Sequence, residues 1–120
     1  MSTLDRAAEL KSRTKAFAIH IVRLYRSLPR STDAQVLGKQ LLRSGTSVAA
    51  NYRAACRSRS KAEFISKMSV VLEEADETAF WLELLAETNT VDGERTQAIL
   101  KETNELAAIF GASIRTARTS

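Results

Sequence analysis

The sequence predicts an all-α protein, a single antiparallel up-down-up-down four-helix bundle occupying residues 1–120. Three observations predict it. Alanine, leucine, glutamate and arginine are plentiful, while glycine (4), proline (1) and aromatic residues (6%) are scarce. That composition favours helices and deprives a sandwich or barrel of its turns. Apolar residues recur at alternating spacings of three and four, the signature of helices that bury one stripe. Three breaks then cut the chain into four segments of helical length. With 120 residues, 44% hydrophobic and 27% charged, the chain fits one domain with a genuine core.

The first helix is expected near 4–27. Its stripe is Leu10, Phe17, Ile21, Leu24 and Leu28, and it ends at Leu28-Pro29-Arg30-Ser31. Proline has no N–H to donate and disfavours a helical residue before it. Thr32-Asp33-Ala34-Gln35 has the form of a capping box and opens a second helix near 33–57. Leu37, Leu41, Ser44, Val48, Tyr52 and Ala55 form its inner stripe. Gly38 and Gly45 sit inside it although each costs about 1 kcal/mol relative to alanine, so a close helix approach is expected there. Ser60-Lys61-Ala62-Glu63 repeats the capping form before Phe64 and opens a third helix near 61–88. Its stripe is Phe64, Met68, Val71, Ala75, Ala79, Leu82 and Ala86. After the break Asn89-Thr90-Val91-Asp92-Gly93, a fourth helix near 93–115 carries Ile99, Leu106 and Phe110, backed by Leu100 and Ile109. Short connections force neighbouring helices antiparallel.

The net charge of +4 hides a division. Residues 1–62 carry 13 Lys/Arg against Asp5, Glu9 and Asp33, whereas residues 63–105 carry 11 acids against Lys67, Arg95 and Lys101. No acid lies between Asp33 and Glu63. Opposite surfaces attract, so the basic half is expected to face the acidic half, within one chain or between subunits, or to leave a basic face for a polyanion.

The second helix carries that face. At about 100° per residue, Arg43, Arg53 and Arg57 fall within about 40° of Lys39, on the side opposite the core stripe. The line runs on the order of 27 Å, and Arg59 and Lys61 extend it into the following loop. Arg23, Arg26 and Arg30 make a second cluster beside the first helix. Cations in a row suit a phosphate backbone with counterions to release, and arginine adds bidentate contacts. No aromatic platform accompanies them, so backbone rather than base edges would be read. A charged outer face kept for solubility alone would show the same spacing.

The third helix places apolar residues away from its stripe. With Phe64 at zero, Phe80, Leu84 and Trp81 fall near ~160°, ~200° and ~260°. Such a patch is expected to be an oligomer interface.

Catalytic and metal chemistry finds little support. One cysteine rules out an internal disulfide, and Cys56 and His20 are each single. The carboxylates Glu73, Glu74, Asp76 and Glu77 lack the Glu-x-x-His of di-iron bundles. Ser12-Arg13-Thr14-Lys15 and Ser58-Arg59-Ser60-Lys61 match Ser-x-x-Lys without the companion motifs of that enzyme class. Gly38-Lys39 and Gly45-Thr46 do not follow the order of a phosphate loop. Asn51, beside the core face, reads as an interhelical hydrogen-bonding residue rather than a catalyst. No enzyme activity, cofactor or metal is expected. The segment Met1–Arg6 is not a basic-then-apolar leader, and no apolar run reaches the roughly twenty residues of a membrane span. A cytoplasmic protein without membrane contact is expected.

Several runs carry a family resemblance: Leu28-Pro29, the stretch Gln40-Leu41-Leu42-Arg43-Ser44-Gly45-Thr46-Ser47-Val48-Ala49-Ala50-Asn51-Tyr52, and Ser60-Lys61-Ala62-Glu63-Phe64. They resemble the four-helix-bundle family of proteins encoded in 23S rRNA intervening sequences. Two departures stand out. Many members continue Asn-Ile-Ala-Glu-Gly where this chain has Asn51-Tyr52-Arg53-Ala54-Ala55, and many have Gly-Ser before a third-helix glutamate where it has Glu73-Glu74-Ala75-Asp76-Glu77. The resemblance implies a bacterial cytoplasmic bundle assembled as a ring-like homopentamer, without assigned activity in most members. A related branch, the accessory variability proteins of diversity-generating retroelements, forms a basic pentamer that binds nucleic acid and a reverse transcriptase. By that similarity, RNA or DNA would lie on Lys39, Arg43, Arg53, Arg57, Arg59 and Lys61.

Overall fold

The computed structural model describes residues 2–120. Four helices follow one another: α1 Thr3–Arg26, α2 Thr32–Ala55, α3 Lys61–Glu87 and α4 Gly93–Thr119. The connections 27–31, 56–60 and 88–92 are too short for anything but reversal, and the molecule extends 47 × 24 × 19 Å. α2 packs on α1 and α3, α3 packs also on α4, and the α1–α4 seam is the loosest. Among the described residues the diagonal pairs α1/α3 and α2/α4 have no backbone approach, as in a four-membered bundle.

The helix ends follow from local hydrogen bonding. Ser2 caps α1 in a reciprocal box with Asp5: the Asp5 N–H donates to Ser2 Oγ at 3.1 Å and the Ser2 N–H to Asp5 Oδ2 at 3.4 Å. α1 stops at the Leu28-Pro29 break as expected, with Ser27 as its cap. The expected box at Thr32–Gln35 does not form. Ser31 is the cap residue, and Gln35 instead donates to the Pro29 carbonyl at 2.9 Å and accepts from the Tyr25 hydroxyl at 3.2 Å. Gln35 therefore ties the end of α1 to the start of α2. At α3, Ser60 Oγ accepts from the Glu63 N–H at 3.0 Å, but the Glu63 carboxylate takes the Arg59 N–H and Lys67 rather than closing the box. α3 ends in a Schellman turn. Asn89 adopts φ 56°, which asparagine tolerates, and the N–H groups of Thr90 and Asn89 return to the carbonyls of Leu85 and Ala86. α4 runs four residues past its expected end.

The core is the expected stripe with one rotation. Phe17, Ile21, Leu24, Leu41, Val48, Met68, Val71, Leu82, Leu106 and Phe110 are all buried. On α3, however, Leu85 and Thr78 are also fully buried, while Phe64, Ala79 and Ala86 are half-buried. The inward arc of α3 is turned about 30° toward α2 relative to the spacing-based stripe. Tyr52 stacks on Phe110 across the bundle, centroids 6.0 Å apart and rings 27° from parallel. Burial raises the Tyr52 phenol above its ordinary value, with a hydrogen bond to Cys56 adding to the effect, so it stays neutral. Buried hydroxyls find partners: Thr78 Oγ1 lies 2.7 Å from the Glu74 carbonyl and 3.0 Å from Ser44 Oγ. Among the described residues no buried side-chain polar atom is left unpaired. Asn51 donates to the Ser47 carbonyl of its own helix at 2.9 Å, so the interhelical role expected of it is not seen.

Candidate nucleic-acid interface

α2 contacts α1 through Gly38 and Gly45 and α3 through Ser44. Its remaining face is turned to solvent, and Lys39, Arg43 and Arg53 are exposed there; α2 ends at Ala55 rather than near 57, so Arg57 lies in the turn after the helix, also exposed. Arg59 follows in the same connection and Lys61 opens α3, both exposed. Among the described residues the ion pairs join Arg13 to Glu102 and Glu105, Arg43 to Glu74 and Glu77, and Lys67 to Glu63. None reaches Lys39, Arg53, Arg57 or Arg59.

Two members of the expected row differ from the rest. Arg43 is exposed, but its guanidinium clamps α2 to α3. Nη1 lies 3.3 Å from Glu74 Oε2, and Nη2 bonds Glu77 Oε1. Spacing on one helix could not show this, because the acids belong to the next. Lys61 Nζ donates to the carbonyl of Ser120, tying the base of α3 to the end of α4. Arg43 and Lys61 are thus engaged within the chain, and the unpaired set is Lys39, Arg53, Arg57 and Arg59.

The Arg43 clamp makes a pH prediction. Hydrogen bonding to Arg43, opposed by partial burial and helped by Trp81, holds the Glu77 carboxyl below its ordinary 4.5. A lowered folded-state value stabilises the fold above the ordinary value and loses that contribution as pH falls through the folded one. Glu77→Gln should therefore flatten the acid limb of stability below about pH 5. The loss at neutral pH should be under ~1 kcal/mol, because solvent screens the pair. Urea midpoints from pH 7 down to pH 3 would show it; curves parallel to the wild type would exclude the clamp.

The apolar patch on α3 is divided. Phe80 is 53% exposed and Val70 41%. Trp81, expected to face outward, is half-buried and packs against the core, and its indole N–H donates to Glu77 Oε1 at 3.2 Å. The rotation of α3 toward α2 brings it to the bundle edge. Phe80 meets it edge-on, centroids 4.9 Å apart and planes 72° apart. Leu84 is half-buried beside them. Val70 was not anticipated from the sequence. A second feature escaped as well: an outward groove on α1 lined by Lys15, Ala18, Ile19, Val22, Arg23 and Arg26. Ile19, about 200° from Phe17 on the helix, was the available signal.

Among the described residues no three His, Cys, Asp or Glu side chains gather as a metal site, and no helix is long and apolar enough to cross a membrane. Cys56 caps α2, half-buried and beside Tyr52.

A four-helix bundle with a row of cations unpaired among the described residues beside an adjacent acidic helix defines a class of small basic helical proteins. The chain belongs to the 23S rRNA-intervening sequence protein family, whose model matches residues 6–112. It is similar to a crystal structure of a protein with unknown function from the S23 ribosomal protein family of Bacteroides thetaiotaomicron. The two share 39% identity at a TM-score of 0.82, over 87% of this chain and 96% of that one. No match was found among curated proteins.

Proposed function

We propose that this protein is a non-enzymatic homo-oligomeric bundle, a pentamer by family resemblance, that binds the RNA or DNA backbone through the outer face of α2. The observation that carries the reading is the row Lys39, Arg53, Arg57 and Arg59, exposed and without an acidic partner among the described residues. Unpaired cations along α2 and the connection that follows it attract phosphates at no cost of breaking an existing pair. No acid lies within the chain between Asp33 and Glu63 to oppose that field, and the acids of α3 reach it at Arg43.

Binding should be sequence-poor and steeply salt-dependent, with about 0.7–0.9 of slope in log K against log salt for each phosphate contact. Arg53→Glu with Arg57→Glu should reduce affinity for a mixed-sequence oligonucleotide by at least about tenfold and lower that slope by about two contacts. Fluorescence anisotropy across a salt series measures both. Arg43 is left intact, since changing it would also open the α2–α3 clamp. Undiminished binding by the double variant would overturn the reading.

A protein-interaction scaffold without a nucleic-acid role is the second reading. The capture of Arg43 by Glu74 and Glu77 favours it, since the same chemistry could pair the other cations with acids of a neighbour. It makes the opposite forecast: the double variant would dissociate on a sizing column.

A further inference from the structure

We propose that the acid-rimmed apolar ridge on α3 docks into the base-rimmed apolar groove on α1 of a second copy of this chain, so that copies join head to tail. The inference rests on the oligomeric part of the proposed function and assigns the two faces that make the contact.

The apolar projection is Phe80, exposed on the outer side of α3; Val70, also exposed, lies about 15 Å toward the start of the helix. Glu73, Asp76, Glu83 and Glu87 surround Phe80, all exposed and none in an ion pair among the described residues. The groove is about 330 Å³, with Ala18, Ile19 and Val22 as its floor and Lys15, Arg23 and Arg26 at its rim. Ile19 is 41% exposed. No acid lines it. An apolar projection edged with carboxylates and an apolar hollow edged with cations match in charge and in apolar character.

Position in the fold fixes the kind of contact. α1 and α3 are diagonal partners without backbone approach, so their outer faces look in opposite directions. No copy can fill its own groove. A two-fold α3–α3 pairing would press acids against acids, and an α1–α1 pairing bases against bases. The favourable contact is therefore heterologous, and such a contact builds a closed ring or an open filament. α2 lies off this diagonal, so its cations remain outside the contact.

Ile19→Asp and Phe80→Asp test the two faces separately. Both side chains are exposed, so helicity by circular dichroism should be unchanged. Each variant alone is expected to fall to the monomer mass of 13.2 kDa by light scattering. Mixed together, they should form a one-to-one complex of twice that mass, because one intact ridge and one intact groove remain. A second pair guards the charge argument. Lys15→Glu with Arg23→Glu should weaken assembly at least about tenfold, as should Glu83→Lys with Glu87→Lys, and the four changes in one chain should restore it. A monomeric wild type, a single variant of unchanged mass, or a mixture that stays monomeric would each overturn the proposal. Masses are read without nucleic acid, so failed oligonucleotide binding bears on the proposed function alone.

Discussion

Phe110→Ala is expected to lower the free energy of unfolding by about 3–5 kcal/mol, the range for deleting a fully buried phenylalanine. Phe110 has no solvent exposure and stacks on Tyr52 across the α2–α4 diagonal. The α1–α4 seam is the loosest in the molecule, so α4 is held by α3 and by the core more than by α1. Removing the ring opens a cavity that the three other helices, braced against one another, can only partly close. Against a typical total of about 5–15 kcal/mol, the loss is large. Urea unfolding at fixed protein concentration should show a lower midpoint with an unchanged slope. A loss under about 1 kcal/mol would mean that α4 collapses freely onto its neighbours and that the Tyr52 stack is incidental.

Tyr52 is instructive about what a sequence can carry. Its place on the inner stripe of α2 was readable from spacing alone, as were Leu41, Ser44 and Val48, because burial of one face imposes a periodicity on the chain itself. The Leu28-Pro29 stop was readable for the same kind of reason: proline acts on its immediate neighbours. The partner of Tyr52 was not readable, because Phe110 lies 58 residues away and only the packing of four helices brings them together. Gln35 shows the same limit at short range. Its spacing from Thr32 fits a capping box, but the nearby Pro29 carbonyl and Tyr25 hydroxyl are better partners.

The candidate site divides along the same line. The exposure of Lys39 and Arg53 follows from their phase on α2, whereas Arg57 is exposed because it lies in the turn after Ala55. The engagement of Arg43 depends on Glu74 and Glu77 of another helix, and that of Lys61 on the far end of α4. Trp81 was misplaced because a turn of about 30° in α3 moves a residue from a wet face to a packed edge, and that turn is decided by what α2 offers. Ser44 and Thr78 offer a hydroxyl contact at 3.0 Å, which draws that side of α3 inward. Charge asymmetry between the two halves, by contrast, was visible at once and reappears as two oppositely charged faces.

Gly45→Ala is expected to destabilise the bundle by up to about 2 kcal/mol although alanine is the better helix former. A Cβ at this position would lie 2.8 Å from both Cγ1 and Cγ2 of Ile21 and 3.2 Å from its Cβ. Ile21 is fully buried and β-branched, so it has no easy rotamer into which to retreat. Overpacking of this kind costs about 1–3 kcal/mol, set against a helical gain of about 1 kcal/mol. Gly38 is different. Its added Cβ would meet Leu28 Cδ1, the end of a flexible side chain just past α1, and the Tyr25 ring at 3.0 and 3.2 Å, so Leu28 and the Tyr25 ring must both shift to admit it. The decisive measurement is a cycle with Ile21→Ala, which alone should cost about 2–5 kcal/mol through its cavity. In that background the two contacts at 2.8 Å are gone and only the Cβ of residue 21 at 3.2 Å remains, so Gly45→Ala should become stabilising by up to about 1 kcal/mol. A reversal of sign between the two backgrounds, read from urea midpoints, would assign the glycine to the closeness of α1 and α2. If Gly45→Ala destabilises equally in both, the requirement lies in α2 itself, and the close approach is a consequence rather than the cause.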